Sequence, residues 1–207
     1  VTALRVEARL LAGKALMKGR HFNFALEQFE AACRFDPTNL EAARNRGMCL
    51  QRIGRNDDAR AVYRKILADH PRDVETLALL GRLDKDAWVA AWNRDGSTPE
   101  QKRSDAAYED ALLLTAIESY VAAFRAAPGH YYSGINALTL IHLYRDLTGQ
   151  PSPYDAQLDC MAGGVSWATG CELLDNNTYW GRATLGDLAV LCGDTAGVTR
   201  AYKDAIA

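Results

Sequence analysis

The chain has little that reacts and little that anchors. Over 207 residues no apolar run reaches the 18 or so that a membrane-crossing helix needs. The opening VTALRVEARL carries charges through any would-be apolar region, so it does not read as a signal peptide. Cysteine is sparse and odd in number: Cys33, Cys49, Cys160, Cys171 and Cys192, with no CxxC and no Cys/His cluster. That pattern argues against a disulfide framework and a zinc site, and for small, buried, reduced thiols in a cytoplasmic protein. His21, His70, His130 and His142 are scattered and form no HExxH. Neither G-x-x-x-x-G-K-[ST] nor G-x-G-x-x-G occurs, so no phosphate loop is expected. No metal site, cofactor or catalytic residue is expected. Charge is nearly balanced, with 24 basic against 26 acidic side chains and a net of -2, so no global field favours nucleic acid or acidic membrane. The chain begins at Val1 and stops just past an apparent helix, which reads as a fragment of a longer protein.

What is present is a repeat. Pro37 and Pro71 stand 34 residues apart, and aligning them pairs Gly13 with Gly47, Leu16 with Leu50, Ala25 with Ala59, Phe29 with Tyr63 and Ala32 with Ile66. The small residues let two helices approach closely, and the aromatic residues fill the space between neighbouring pairs. The prolines end helices, because proline lacks the amide hydrogen and clashes with the preceding turn. One such pair cannot bury its apolar face alone, so the pairs must stack. This register resembles the tetratricopeptide repeat. The resemblance implies an all-α chain, a right-handed α-α superhelix of about five helix pairs over residues 1–207. Residues 1–73 form two regular repeats, and 74–207 form divergent ones with an insertion near 93–110. No strand-like alternation appears.

The third unit opens at Val74, continues through Leu77, Leu80 and Gly81, and runs on through Trp88 and Trp92 on one helix face. NRDGSTPEQKRSD then reads as a polar loop, with Ser97 or Thr98 placed to cap the segment beginning at Pro99. The second helix is delayed to Ala116, Tyr120, Ala123 and Pro128. The fourth unit carries a stripe of Ile135, Leu138 and Ile141, then a second helix expected from Asp155 to Leu174 and weakened by Gly163 and Gly164. DNNT punctuates the chain before a fifth unit of Tyr179 to Leu191 and Ala196 to Ala207, with Gly186, Gly193, Tyr202 and Ala205 in register.

A more specific likeness lies in GRLDKD at 81–86, AIESYVAAFRAAP and YYSGINALTL. Gly81, Arg82, Lys85, Asp86, Ala123, Phe124, Pro128, Ser133, Gly134, Ile135, Asn136 and Trp180 resemble the central regulatory region of the apoptosis signal-regulating kinases. That region is the TRAF-binding tetratricopeptide segment of these MAP kinase kinase kinases. Related domains occur in bacteria, and the Ala- and Arg-rich composition here suits a bacterial relative. The likeness covers Val74 to Ala207, and Asp84 stands where the family has an aromatic residue. No kinase catalytic domain is present, so the resemblance implies a regulatory or scaffolding module acting on a linked or neighbouring effector.

Ser133, Gly134 and Asn136 sit where Ala would be the better helix former. Gly134 is expected to admit a close neighbour and Ser133 to cap its helix. Asn136 needs a partner, and the helix carrying Arg82 and Asp86 is expected to supply it. Together Gly81, Asp86, Ser133, Gly134, Asn136 and Trp180 read as a structural motif. Ser166 in GGVSWATG has the look of a nucleophile elbow but lacks the strand beneath it.

First helices of successive units line the concave face of such a solenoid. By register that face presents Lys14 and Lys18, then Arg44, Asn45 and Arg52, then Arg82 and Lys85. The surface is mostly basic and suits an acidic peptide, a carboxylate terminus or a protein partner. A chaperone-tail clamp is not expected: only Asn45 and Lys14 fit it, and Leu10, Glu75 and Leu79 do not. Without aromatic residues interleaved as a stacking platform, nucleic acid ranks last. A second option is a small-ligand or nucleotide-sensing solenoid that uses the joint near Arg82, Lys85 and Asn136. Oligomeric state is left open.

Overall fold

The computed structural model describes residues 2–176 and 178–206. Among them the chain is helical throughout, with eleven α-helices, one 3-10 turn and no strand. Contacts divide it into two compact units, Val1–Leu83 and Asp84–Ala207.

The first unit holds α1 (Thr2–Lys18), α2 (Phe22–Phe35), α3 (Leu40–Arg52), α4 (Asn56–Asp69) and the first half of α5 (Val74–Trp92). Helix α2 stops one residue before the Asp36–Pro37 pair. The Asp36 carboxylate then accepts from the backbone N–H of Thr38 at 3.0 Å and from its hydroxyl at 2.7 Å, which sets the turn. Asn39 caps α3 by accepting from Ala42 N–H at 2.8 Å. After Pro71 the same task falls to Asp73, which accepts from Thr76 N–H at 3.0 Å. Phe29 and Tyr63 are fully buried, each lying over the glycine sixteen residues before it, Gly13 and Gly47. A Cβ on Gly13 would stand 2.6 Å from the Phe29 ring, and one on Gly47 would overlap Tyr63.

The second unit holds the rest of α5, then α6 (Pro99–Tyr108), α7 (Asp110–Ala126), α8 (Tyr131–Thr148), a 3-10 turn (Asp155–Gln157), α9 (Leu158–Asp175), α10 (Tyr179–Leu191) and α11 (Thr195–Ile206). Its core joins Trp88, Leu113, Ile117, Tyr120, Leu138, Ile141 and Val165. The polar insertion, read from sequence as loop, carries the ten-residue α6. Thr98, not Ser97, caps it in a reciprocal box with Gln101. Helix α6 is pinned by the Trp88 indole donating to Ala106 O at 3.3 Å and by Arg103 pairing with Asp146 of α8 at 2.9 Å. Trp88 and Trp92 pack together as their spacing implies, with ring centroids 5.5 Å apart.

The second helix of the fourth unit begins at Leu158, later than expected. The Asp155 carboxylate accepts from Ser152 N–H at 3.0 Å and ties residues 152–155 into a turn first. Gly186 lies under Tyr202, as register requires. The last helix starts at Thr195, and Asn177 of DNNT and Ala207 lie outside the described residues. The reading of the cysteines as buried holds for Cys49 and half-holds for Cys33. It fails for Cys160, Cys171 and Cys192, which are exposed on α9 and after α10.

Candidate functional site

Lys14, Lys18, Arg44, Asn45, Arg52 and Arg82 belong to the first unit and Lys85 to the second, so the two sets are described separately. In the first unit several expected contact residues already have partners. Lys14 of α1 is ion-paired with Glu41 of α3. The Arg44 guanidinium lies 3.4 Å from Asp73, the residue that caps α5. Asn45 turns back on its own helix and donates to Glu41 O at 2.9 Å. Arg52 spreads over the Phe22 ring, 5.9 Å from its centroid. Arg82 lies near Tyr63, whose phenol is pushed up by burial, with the nearby guanidinium opposing. Gly81 is buried within α5, and Lys18 is exposed at the end of α1. The net positive surface is therefore smaller than the sequence implies, since Glu41 and Asp73 offset two of its cations. Sequence reasoning missed both acids, because pairing between helices depends on packing angle and not on spacing. The first unit also has a cleft of about 950 Å³ between α2, α3 and α4, lined by Glu30, Arg34, Arg46, Val62 and Ile66.

In the second unit the motif residues come together at α8. Gly134 is buried, and a Cβ there would stand 2.9 Å from the Phe124 ring of α7 and closer still to Val165 of α9. Glycine is needed because two neighbours, not one, close on this turn. Ser133 does not cap the helix. It is the third residue of α8 and fully buried, and its hydroxyl hydrogen-bonds the His130 ring at 2.8 Å, His130 being the cap position. Asn136 receives a partner from α5, as expected, but from Lys85: its Nζ donates to Asn136 Oδ1 at 2.9 Å. The other end of the amide donates to Tyr132 O at 2.8 Å, so its orientation is fixed from both sides. Lys85 also lies over the Tyr120 ring at 5.7 Å. Asp84 and Asp86 face differently: Asp84 is buried and accepts from the Ser119 hydroxyl at 2.7 Å, and Asp86 is exposed. Trp180 does not serve the interior as a motif residue would: it is 72% exposed and meets Tyr179 edge-on at 5.1 Å.

Lys85 and Asn136 open onto a concavity of about 480 Å³ between α5, α8, α10 and α11. Trp88, Val89, Leu140 and Val190 supply its apolar lining. Asp187 and Tyr202 line the same concavity, joined by a hydrogen bond from the phenol to the carboxylate at 2.5 Å. That bond, helped by burial, pushes the Tyr202 phenol up to about 12, so it stays protonated and donating at neutral pH. A cation held by an amide, a carboxylate joined to a phenol, and apolar side chains lining one concavity are the elements of a binding site.

Stacked helix pairs with a small-for-aromatic exchange at their joints define a tetratricopeptide-type solenoid protein. The profile of the Tetratricopeptide Repeats-Sensor family matches residues 21–141, more than half of the chain, and the chain belongs to that family. No curated protein matches it. Among solved structures it is similar to TTC0263, a thermophilic tetratricopeptide-repeat protein of Thermus thermophilus, with 18% identity and a TM-score of 0.60 over 97% of this chain and 90% of that one. It is also similar to human IFIT1, solved as a dimer with PPP-AAAA, with 13% identity and a TM-score of 0.51 over 96% of this chain and 54% of that one. At these identities the likeness shows the fold, stacked α-α pairs, and nothing of what is bound.

Proposed function

We propose that the chain is a non-catalytic regulatory module that recognises a peptide or protein partner through the face lined by the first helices of its repeats. The observation that carries this reading is the second-unit concavity, where Lys85 is held by Asn136 at the edge of an apolar floor. Lys85 favours a carboxylate or another acidic group, and the floor favours an apolar side chain beside it. Separately, on the first unit, Lys18, Arg52 and Arg82 suit an acidic segment. The resemblance to the TRAF-binding segment of the apoptosis signal-regulating kinases supports a module that acts on a linked or neighbouring effector. The bacterial relative and the cytoplasmic setting belong to the same proposal, the latter because five free thiols suit a reducing compartment.

A small-ligand or nucleotide-sensing role is the second reading. It is favoured by the sensor description of the family and by a concavity of about 480 Å³, within the range of small-molecule sites. Thermal melting against a metabolite panel and a panel of acidic-apolar peptides separates the two. Stabilisation by peptides alone, lost in Lys85→Glu, supports partner recognition. Stabilisation by a metabolite alone moves the site to the sensor reading.

A further inference from the structure

The concavity on α5, α8, α10 and α11 holds two opposite charges, and an acidic partner group answers only one of them. Lys85 and Asp187 are the charged side chains that line it, and Trp88, Val89, Leu140, Leu143 and Val190 are among the apolar ones. Leu143 is 37% exposed and Val190 55%. An occupant that covers them also takes water from Asp187. A carboxylate that loses water is costly unless a cation or hydrogen-bond donors replace it. A purely acidic segment makes this worse, since it sets like charge against Asp187.

The protein does not supply that cation. Among the described residues Asp187 has one partner, the Tyr202 phenol, which donates to Oδ1 at 2.5 Å. Oδ2 accepts nothing from the described residues. Nor does the helix joint require the acid. Tyr202 lies over Gly186, sixteen residues before it, as Tyr63 lies over Gly47. The Tyr63 hydroxyl is buried without a partner, so a joint of this kind closes with no acceptor at all. Asp is also a weak helix former, and Asp187 stands inside α10. The residue after the joint glycine is Lys14 in the first repeat, Met48 in the second, Arg82 in the third and Ile135 in the fourth. Only the fifth repeat puts an acid there.

We propose that Asp187 is a second recognition group. The partner segment carries a lysine or arginine for Asp187 beside the acidic group for Lys85, with an apolar side chain in the same stretch. Resting on the partner role of Lys85, this narrows the partner from acidic segments to segments of mixed charge. The Tyr202 phenol occupies Oδ1, which leaves Oδ2 to accept from an ammonium or a guanidinium N–H. A polyanion fits poorly, because it meets Asp187 as well as Lys85.

The test selects a displayed random-peptide library on the full chain in three forms: wild type, Asp187→Asn and Asp187→Lys, with melting curves as the check on folding. Asparagine keeps an acceptor for Tyr202, so Asp187→Asn removes the charge and little else, and it carries the test if Asp187→Lys folds poorly. Wild type should enrich peptides with Lys or Arg at a fixed spacing from Asp or Glu. Replacing that base by glutamine should weaken binding to wild type by roughly tenfold and leave binding to Asp187→Asn nearly unchanged. Asp187→Lys should enrich a second acid where wild type enriches the base. Peptides that need Lys85 but carry no base, or a base indifferent to Asp187→Asn, would overturn the proposal and leave the role of Lys85 standing. Peptides that need Asp187 and bind Lys85→Glu undiminished would uphold the Asp187 contact and remove the Lys85 one. If no peptide is enriched, or if free zwitterionic amino acids alone raise the melting temperature, both are wrong.

Discussion

Gly134→Ala adds one methyl group at the tightest joint of the second unit. The new Cβ would stand 2.9 Å from the Phe124 ring and nearer to Val165, which is fully buried in the same core. Neither neighbour is the loose end of a flexible side chain, so the methyl must be accommodated by shifting α7 or α9. Overpacking of this kind costs about 1–3 kcal/mol. Against it stands the gain from replacing a mid-helix glycine, about 1 kcal/mol. With two buried neighbours to displace, the net loss should be about 1–2 kcal/mol, or a fall in Tm of about 2–8 °C for a chain of this size. The matched control is Gly163→Ala in α9, where a Cβ meets nothing. There only the helix gain remains, and stability should rise by about 0.5–1 kcal/mol. Both are read by urea and thermal unfolding followed by circular dichroism. If Gly134→Ala is as stable as the parent chain, or the two substitutions shift stability equally, the close-packing account of this joint is wrong.

Asn136→Ala removes an acceptor from the part-buried Lys85 and should cost about 1 kcal/mol, a few degrees in Tm. Asn136→Gln, unable to keep both bonds, should not restore it. Titration with a soluble maleimide should label Cys160, Cys171 and Cys192 first, then Cys33, whose thiol is raised by burial, and Cys49 last. Burial pushes the Cys49 thiol up to about 11, so it is protonated at neutral pH as well as shielded. His142 is held below its ordinary 6.5 by burial and by Arg145, with Asp155 opposing. The unfolded chain therefore binds that proton more readily. The stability from keeping His142 neutral is present above about pH 6.5 and is lost as pH falls through the folded value. His142→Gln should flatten unfolding midpoints between pH 7 and 5, and an unchanged slope would remove His142 from the account.

The helix pairs were legible because their signals are local and repeated. The 34-residue spacing of Pro37 and Pro71 marks turns, and each glycine is matched to an aromatic residue at a fixed offset, Gly13 to Phe29 and Gly47 to Tyr63. Packing of that kind follows from period alone. What joins one helix to another through long polar side chains was less legible. The sequence named the right helix as Asn136's partner but not Lys85, because the choice among neighbouring residues rests on the crossing of α5 and α8. The pairing of Lys14 with Glu41 and of Arg44 with Asp73 depends on the same geometry. Ser133 was misjudged since the helix begins at Tyr131, so its hydroxyl reaches the His130 ring rather than a backbone N–H.

The central claim is that Lys85 and its apolar surroundings recognise an acidic segment of a partner. The most direct measurement is selection of a displayed random-peptide library on the wild-type chain, followed by titration of the enriched peptides against wild type and a folded Lys85→Glu variant. The account predicts enriched sequences that pair an acidic group with an apolar side chain and that bind the variant at least roughly tenfold more weakly, as expected when a charge pair is reversed. Peptides without an acidic residue, or binding unchanged in Lys85→Glu, would contradict it.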